Sequence, residues 1–121
     1  MRRVAVPAFL ALLSCAGGAH AHARLLSATP AANAAVARPA TVQLRFSERL
    51  VPAFSGADLA MTTKPGMTPV KVATAAAVGT DGRTLVLTPR SPLAAGRYSV
   101  AWRAVSADTH RVTGRYAFMV R

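Results

Sequence analysis

The chain has 121 residues, and its 15 basic and 4 acidic residues give a formal net charge of +11 at pH 7. This length is enough for one domain with a core of its own. Such a charge would suit a nucleic acid or an anionic membrane surface. The basic residues are scattered singly, however, with no run and no basic helix to enter a groove, so no nucleic-acid role is predicted.

The N-terminus has the features of a secretory signal peptide. Arg2 and Arg3 precede the apolar run from Val4 to Leu13, and small residues then lead into Ala19-His20-Ala21. This pattern predicts cleavage after Ala21, because the run is much shorter than the roughly 20 residues that a retained membrane helix needs. We therefore expect a signal peptide at residues 1–21 and a soluble periplasmic domain at residues 22–121.

A second kind of processing would change the mature N-terminus. The segment Leu12-Leu13-Ser14-Cys15 loosely resembles a lipoprotein box, which would make Cys15 the acylated first residue and deny His22 a free amine. Cleavage after Ala21 instead removes the one cysteine of the chain. Disulfides, thiolate metal sites and thiol catalysis are then excluded.

The mature part has the pattern of β-strands throughout. Short segments alternate apolar and polar residues with a period of two and are bounded by turn residues. The strands are predicted at 25–29, 42–46, 58–62, 70–77, 84–88, along the inward face Tyr98, Val100, Trp102 and Ala104, and along Tyr116, Phe118 and Val120. The alanine-rich residues 31–40 are predicted to be a loop. Seven short strands predict an all-β, immunoglobulin-like sandwich.

The polar inventory is small enough to search for a site by elimination. Asp81 lies in an Asp-Gly turn and Asp58 at a strand start, which are ordinary structural positions. The remaining candidates in the mature chain are Glu48, Asp108, His22 and His110.

The triplet Asp108-Thr109-His110 is the most informative of these candidates. In an extended segment, residues i and i+2 point to the same side, about 6.5–7 Å apart, so two ligands at that spacing can converge on one metal ion. An isolated triplet of this kind is more often a turn cap followed by a solvent-exposed histidine. His22 adds weight, because a histidine at a free N-terminus offers an amine and an imidazole from one residue.

Together these residues make a ligand set of nitrogen and oxygen without sulfur. Glu48 would serve as an outer ligand or as a hydrogen-bond acceptor behind the metal. Such a set favours one Cu(II) ion in tetragonal geometry, with Ni(II) as an alternative and Zn(II) as a weaker competitor. Catalysis is not predicted, because Ser47, Ser55 and Ser106 lack a spare histidine base and no phosphate-binding loop is present.

The mature chain resembles the CopC family of periplasmic copper-resistance proteins along essentially its whole length. The resemblance depends on several motifs in the same order. They are His22-Ala23-Arg24-Leu25-Leu26-Ser27-Ala28-Thr29-Pro30, Leu44-Arg45-Phe46-Ser47-Glu48, Phe54-Ser55-Gly56-Ala57, Leu93-Ala94-Ala95-Gly96-Arg97-Tyr98, and Trp102 to His110 followed by Thr113-Gly114.

This resemblance implies a seven-stranded Greek-key sandwich or barrel that binds Cu(II). By position the ligands are His22, Asp108 and His110, with Glu48 close by. The resemblance also implies a CopD-like inner-membrane partner, and we expect the protein to be a monomer.

Some members of the family carry a methionine-rich loop that binds Cu(I). The corresponding stretch here retains only Met61 and Met67, with Lys64 between them. We therefore expect the Cu(I) site to be weak or absent, with both methionines used for packing, and Met119 does not replace what is missing.

Three functions from different classes follow. The leading hypothesis is a periplasmic Cu(II) carrier or buffer that sequesters copper or delivers it to a membrane transporter, without catalysis. The alternative is a histidine-brace copper enzyme, which a carboxylate ligand from Asp108 would disfavour. The third is a structural sandwich without metal.

Overall fold

The computed structural model describes residues 22–62 and 64–121, so the predicted signal peptide lies outside the described residues. No helix within these ranges is long and apolar enough to cross a membrane. They contain one short 3-10 helix, Pro52–Phe54, and nine strands: β1 Leu25–Thr29, β2 Ala35–Val36, β3 Val42–Phe46, β4 Gly56–Thr62, β5 Val70–Val72, β6 Thr74–Val78, β7 Thr84–Pro89, β8 Gly96–Val105 and β9 Arg111–Val120.

The strands form two sheets packed face to face. One sheet has the order β1-β3-β7-β6 and the other β2-β9-β8-β4-β5. All neighbours are antiparallel except β2 and β9, which are parallel. The predicted sandwich class is therefore confirmed.

The core lies between the sheets and follows the predicted alternation. In β3, Val42, Leu44 and Phe46 are buried while Gln43 and Arg45 are exposed. The whole predicted inward face of β8 is buried, from Tyr98 to Ala104. Because side chains of a strand alternate between faces, one inward row from each sheet is enough to form a continuous core.

The predicted number of seven strands is wrong, because the structure has nine. The predicted strand 70–77 is divided at Ala73, since Val72 pairs with Leu59 of β4 whereas Thr74 pairs with Pro89 of β7. The chain thus passes from one sheet to the other at Ala73. The predicted loop 31–40 contains β2, a two-residue strand that covers the edge of β9.

The two sheets contact each other through an aromatic pair at the end that carries the site. The rings of Phe46 and Trp102 meet edge to face, with centroids 5.2 Å apart. Gly114 lies opposite Trp102 in the β8–β9 pairing. A Cβ atom at Gly114 would stand 2.3 Å from Cζ2 of Trp102, so the indole ring occupies the space that any other residue would fill.

Gly114→Ala is expected to destabilise the fold by about 1–3 kcal/mol, because the added methyl group overpacks the indole. Chemical denaturation followed by the fluorescence of Trp102, the single tryptophan, measures this. Gly79→Ala is the matched control, since its nearest contact would be an ordinary 3.5 Å. Equal stability of the two variants would contradict the packing described here.

Candidate metal centre

His22 is held at one end of the sandwich by the residues that follow it. Ala23 is 1% exposed and belongs to the core. The Arg24 N–H donates to Ser47 Oγ, and the Ser47 N–H donates to the Arg24 carbonyl, both at 2.9 Å. These hydrogen bonds extend the β1–β3 pairing beyond Leu25 and hold the backbone next to His22 against β3. The His22 side chain itself is 59% exposed.

Asp108 and His110 lie in the loop between β8 and β9. The end of β8 is fixed by Ser55, whose hydroxyl accepts from the Val105 N–H at 3.0 Å and donates to the Val105 carbonyl at 3.3 Å. The Thr109 N–H then donates to the Ser106 carbonyl at 3.0 Å and closes a turn. The two predicted ligands follow directly from this fixed strand end.

The predicted backbone of this triplet is wrong, although its residues are well placed. The segment is a turn, and Thr109 has a φ of 64°, a left-handed conformation that is unusual for a β-branched residue. Asp108 and His110 therefore meet across a turn and are not spaced along a strand.

Three side chains from the two ends of the described chain converge here. Nδ1 of His22 lies 2.5 Å from Oδ2 of Asp108, and Nδ1 of His110 lies 3.8 Å from the same oxygen. The two imidazole rings are nearly perpendicular, with centroids 4.9 Å apart. One ligand atom from each residue lies within 4.8 Å of the other two, so all three can reach a single ion.

The two oxygens of Asp108 have different surroundings. Oδ1 accepts from Ser106 Oγ at 3.0 Å and from the His110 N–H at 3.1 Å. Oδ2 faces both imidazoles. The carboxylate is thus anchored from behind through one oxygen and presents the other to the site.

The charge of Asp108 is set by opposing effects. Desolvation raises the pKa of this carboxyl group. The hydrogen bonds from Ser106, the His110 N–H and His22 together lower the pKa by more than desolvation raises it. The net pKa lies below the ordinary value, because these donors favour the charged form. Asp108 therefore offers a carboxylate, with one negative charge between two neutral or cationic rings.

Ser106 supports one of the converging residues, a contact that the sequence does not indicate. It is 3% exposed, and its hydroxyl donates to the Asp108 carboxylate. A serine two residues before an aspartate is too common to indicate this role. Only the turn, which directs Ser106 inward beneath the carboxylate, identifies it.

Glu48 is not a member of the group of three residues whose ligand atoms lie within 4.8 Å of one another. Its chain neighbour Ser47 is bonded to Arg24, two residues from His22. The backbone therefore places Glu48 on the same end of the sandwich. Its role as an outer ligand stays a prediction.

The three methionines among the described residues, Met61, Met67 and Met119, do not gather at this end of the molecule. Met61 is partly buried against the core, and its Cε would stand 2.7 Å from a Cβ at Gly96, at the opposite end of β8. Met67 and Met119 are 52% and 49% exposed. Packing accounts for Met61, as expected.

The donor set can hold a borderline divalent cation. Imidazole nitrogen and carboxylate oxygen without sulfur suit Cu(II), Ni(II) or Zn(II) and disfavour Cu(I). The two imidazoles are largely exposed, at 59% and 72% of their side chains, so an ion can enter and leave. The fold and site define a β-sandwich with an open cluster of nitrogen and oxygen donors at one end, which is its candidate metal centre.

Comparison with known proteins narrows this class. A family model described as the CopC domain matches residues 25–121, and the chain therefore belongs to the CopC family. The chain is 52% identical to copper resistance protein C of Pseudomonas syringae pv. tomato over 105 residues, covering 85% of this chain and 83% of that protein. It is 49% identical to copper resistance protein C of Escherichia coli over 113 residues, covering 91% and 90%.

A solved structure supports the same assignment. The crystal structure of PcoC, a methionine-rich copper resistance protein from Escherichia coli, aligns with a TM-score of 0.79 at 50% identity, covering 84% of this chain and all of that one. Both the sequence and the fold therefore agree with the resemblance.

Proposed function

We propose that this protein binds one Cu(II) ion per chain through His22, Asp108 and His110 and carries or buffers it as cargo in copper resistance. The observation that carries the proposal is the convergence of one ligand atom from each of the three residues within 4.8 Å. The identity of the metal is inferred from relatives named copper resistance protein C. The donor set fits the cupric form of that metal.

Export is part of the proposal. Cleavage after Ala21 would give His22 a free amine, and this nitrogen would join Nδ1 of the same residue in a chelate. Nδ1 is the ring atom that already faces Asp108. The protein would then work in the periplasm as a monomer, and a CopD-like inner-membrane protein would receive or supply the copper.

Binding without catalysis is the form of the proposal that the geometry favours. Oδ2 of Asp108 faces both imidazoles, and as a direct ligand it would occupy a coordination position that dioxygen would need in a histidine-brace enzyme. A carboxylate there also stabilises Cu(II) against reduction. Rapid reduction by ascorbate followed by peroxide formation would argue for the enzyme instead.

A second copper site is not part of the proposal. PcoC is described as methionine rich, whereas the whole of this chain has 4 methionines. Met61 packs against the core and Met119 is half-exposed on β9, positions that a thioether takes without any metal. We expect no tight Cu(I) binding.

One experiment tests the proposal most directly. Mass spectrometry of the exported protein fixes its first residue, and copper stoichiometry with the electron paramagnetic resonance spectrum is measured on the same sample. We expect His22 as the first residue, one Cu(II) per chain and nitrogen hyperfine structure. A sample that starts at His22 and binds no copper would overturn the proposal.

Copper binding is expected to weaken in acid. Imidazoles ordinarily titrate near about pH 6.5, and a nitrogen ligand must lose its proton before it binds. Because the pKa of Asp108 is lowered, its carboxylate remains charged through this range, and the competing protons are those of the nitrogen ligands. Each displaced proton contributes a factor of about ten per pH unit, so an amine and two imidazoles together should raise the Kd from chelator competition by up to about a thousandfold for each pH unit well below about 6.

The Asp108→Asn variant is the control for this pH dependence. Asp108→Asn should bind more weakly at every pH but keep the same slope near about pH 6, since the nitrogen ligands determine that slope. An affinity that did not change between about pH 7.5 and about pH 4 would contradict nitrogen ligation.

A further inference from the structure

The outer face of the five-stranded sheet carries an unusual group of arginines beside the metal loop. Arg111 and Arg115 flank Thr113 on β9, and Arg103 of β8 pairs directly with Thr113. Residues at i and i+2 share a face, so all three guanidinium groups project from the same side of the sheet. Diagonal neighbours lie about 7–8 Å apart, and all three arginines line one groove.

This arginine face, Arg103, Arg111 and Arg115, has little internal compensation. Asp58 is the one acidic residue beside it, 3.6 Å from Arg103 and also 3.6 Å from Lys71. No ion pair joins Arg111 or Arg115 to an acid in the part of the chain that the structure describes. A groove of about 390 Å³ runs between these side chains. Asp58 is shared with Lys71 and offsets only part of this positive charge, so an anionic group in the groove would be stabilised.

An apolar groove continues from the arginine face toward the metal loop. It has a volume of about 610 Å³ and is lined by Val51, Ala53, Phe54, Val105 and Thr109, together with Arg103 and Arg111. Phe54 is 65% exposed. We call this the Phe54 groove. Two arginines belong to both grooves, so the two form one continuous surface.

The Phe54 groove reaches the loop that carries two of the converging residues. Thr109, which lines the groove, is the residue between Asp108 and His110. A molecule seated in the groove would therefore contact the loop that supplies two of the three ligands.

We propose that this surface docks an acidic segment of a partner protein, with carboxylates on the arginine face and an apolar side chain in the Phe54 groove. Arginine and aromatic residues are enriched in protein interfaces, and complementary charge directs the approach. That the partner exchanges copper with this chain rests on the proposed function, whereas docking itself does not.

Charge and shape argue against other occupants. A second copy would bring the same arginine face and only 4 acidic residues in the whole chain, so two copies would repel. A lipid surface supplies negative charge, but it would not fill two concave grooves with matched polar and apolar parts.

The test uses a labelled synthetic peptide rich in glutamate with one central leucine, and a control peptide with glutamine in place of glutamate. Binding to the metal-free chain that begins at His22 is followed by fluorescence anisotropy. We expect the glutamate peptide to bind, to weaken as salt is raised, and to exceed the glutamine peptide. Arg111→Glu combined with Arg115→Glu should weaken it about tenfold or more, and Phe54→Ala about fivefold.

Arg97→Glu is the matched control, because Arg97 is exposed on the same strand as Arg103 but about 20 Å away along it. Its effect should stay below about twofold. Equal losses at Arg97 and at Arg111 with Arg115, or no peptide binding, would overturn the proposal. Binding to phosphatidylglycerol vesicles without peptide binding would overturn it in favour of a membrane.

Copper titration of the same samples is a separate measurement, so failure to bind copper would refute the proposed function and leave the docking result intact.

Discussion

An alanine added ahead of His22 is expected to weaken Cu(II) binding by about 100-fold or more while the fold is retained. The addition converts the α-amine of His22 into an amide, so His22 can no longer chelate copper through its own amine and Nδ1. The imidazole of His22 is kept. Loss of a group that merely supports a ligand commonly costs about 10–100-fold in metal affinity, and loss of a ligand should exceed that. The fold should survive because Ala23 and Arg24 anchor the segment, whereas the His22 side chain is exposed.

Two companion variants separate the causes. His22→Ala keeps an amine at the first position and loses the imidazole, so it should also bind more weakly by about 100-fold. An alanine added after Arg121 controls for the extension itself. The Kd is measured by competition with a chromophoric chelator, on samples whose first residue has been verified by mass spectrometry. An unchanged Kd for the chain extended ahead of His22 would remove the amine from the ligand set.

Much of the fold could be predicted because the core uses side-chain alternation directly. The alternation predicts one inward row made of Val42, Leu44 and Phe46, and all three are buried in the structure. The strand count could not be obtained this way, because residues 70–78 alternate without interruption while the chain changes sheets at Ala73. Periodicity reports which side chains share a face, but it does not report which strand lies alongside.

The three converging residues could be named from composition, since few histidines and acids are present. Their geometry could not, because it depends on a turn with Thr109 in a left-handed conformation, for which a β-branched residue gives no signal. Ser106 was missed for the same reason. The three converging residues were therefore named through their chemistry, although the expected extended backbone was wrong.

Asp108→Ala is expected to reduce Cu(II) affinity by about 100-fold, and Ser106→Ala by about tenfold. In the proposed site Asp108 would contribute a ligand oxygen and a negative charge through Oδ2, the oxygen that faces both imidazoles. Ser106 donates to Oδ1 of the same carboxylate, so its loss leaves the ligand present but less firmly oriented. Chelator competition gives both affinities, and Ser99→Ala on β8 serves as the hydroxyl control.

The decisive measurement for Ser106 is the double variant. If Ser106 acts only by holding the Asp108 carboxylate, Ser106→Ala should have almost no further effect once Asp108 is alanine, because the two residues belong to one interaction and their effects are not additive. The electron paramagnetic resonance spectrum of bound Cu(II) should then be the same with either residue at position 106. An additional tenfold loss in the Asp108→Ala background would show that the Ser106 hydroxyl acts on the metal centre by another route, since its hydrogen-bond acceptor would already be gone.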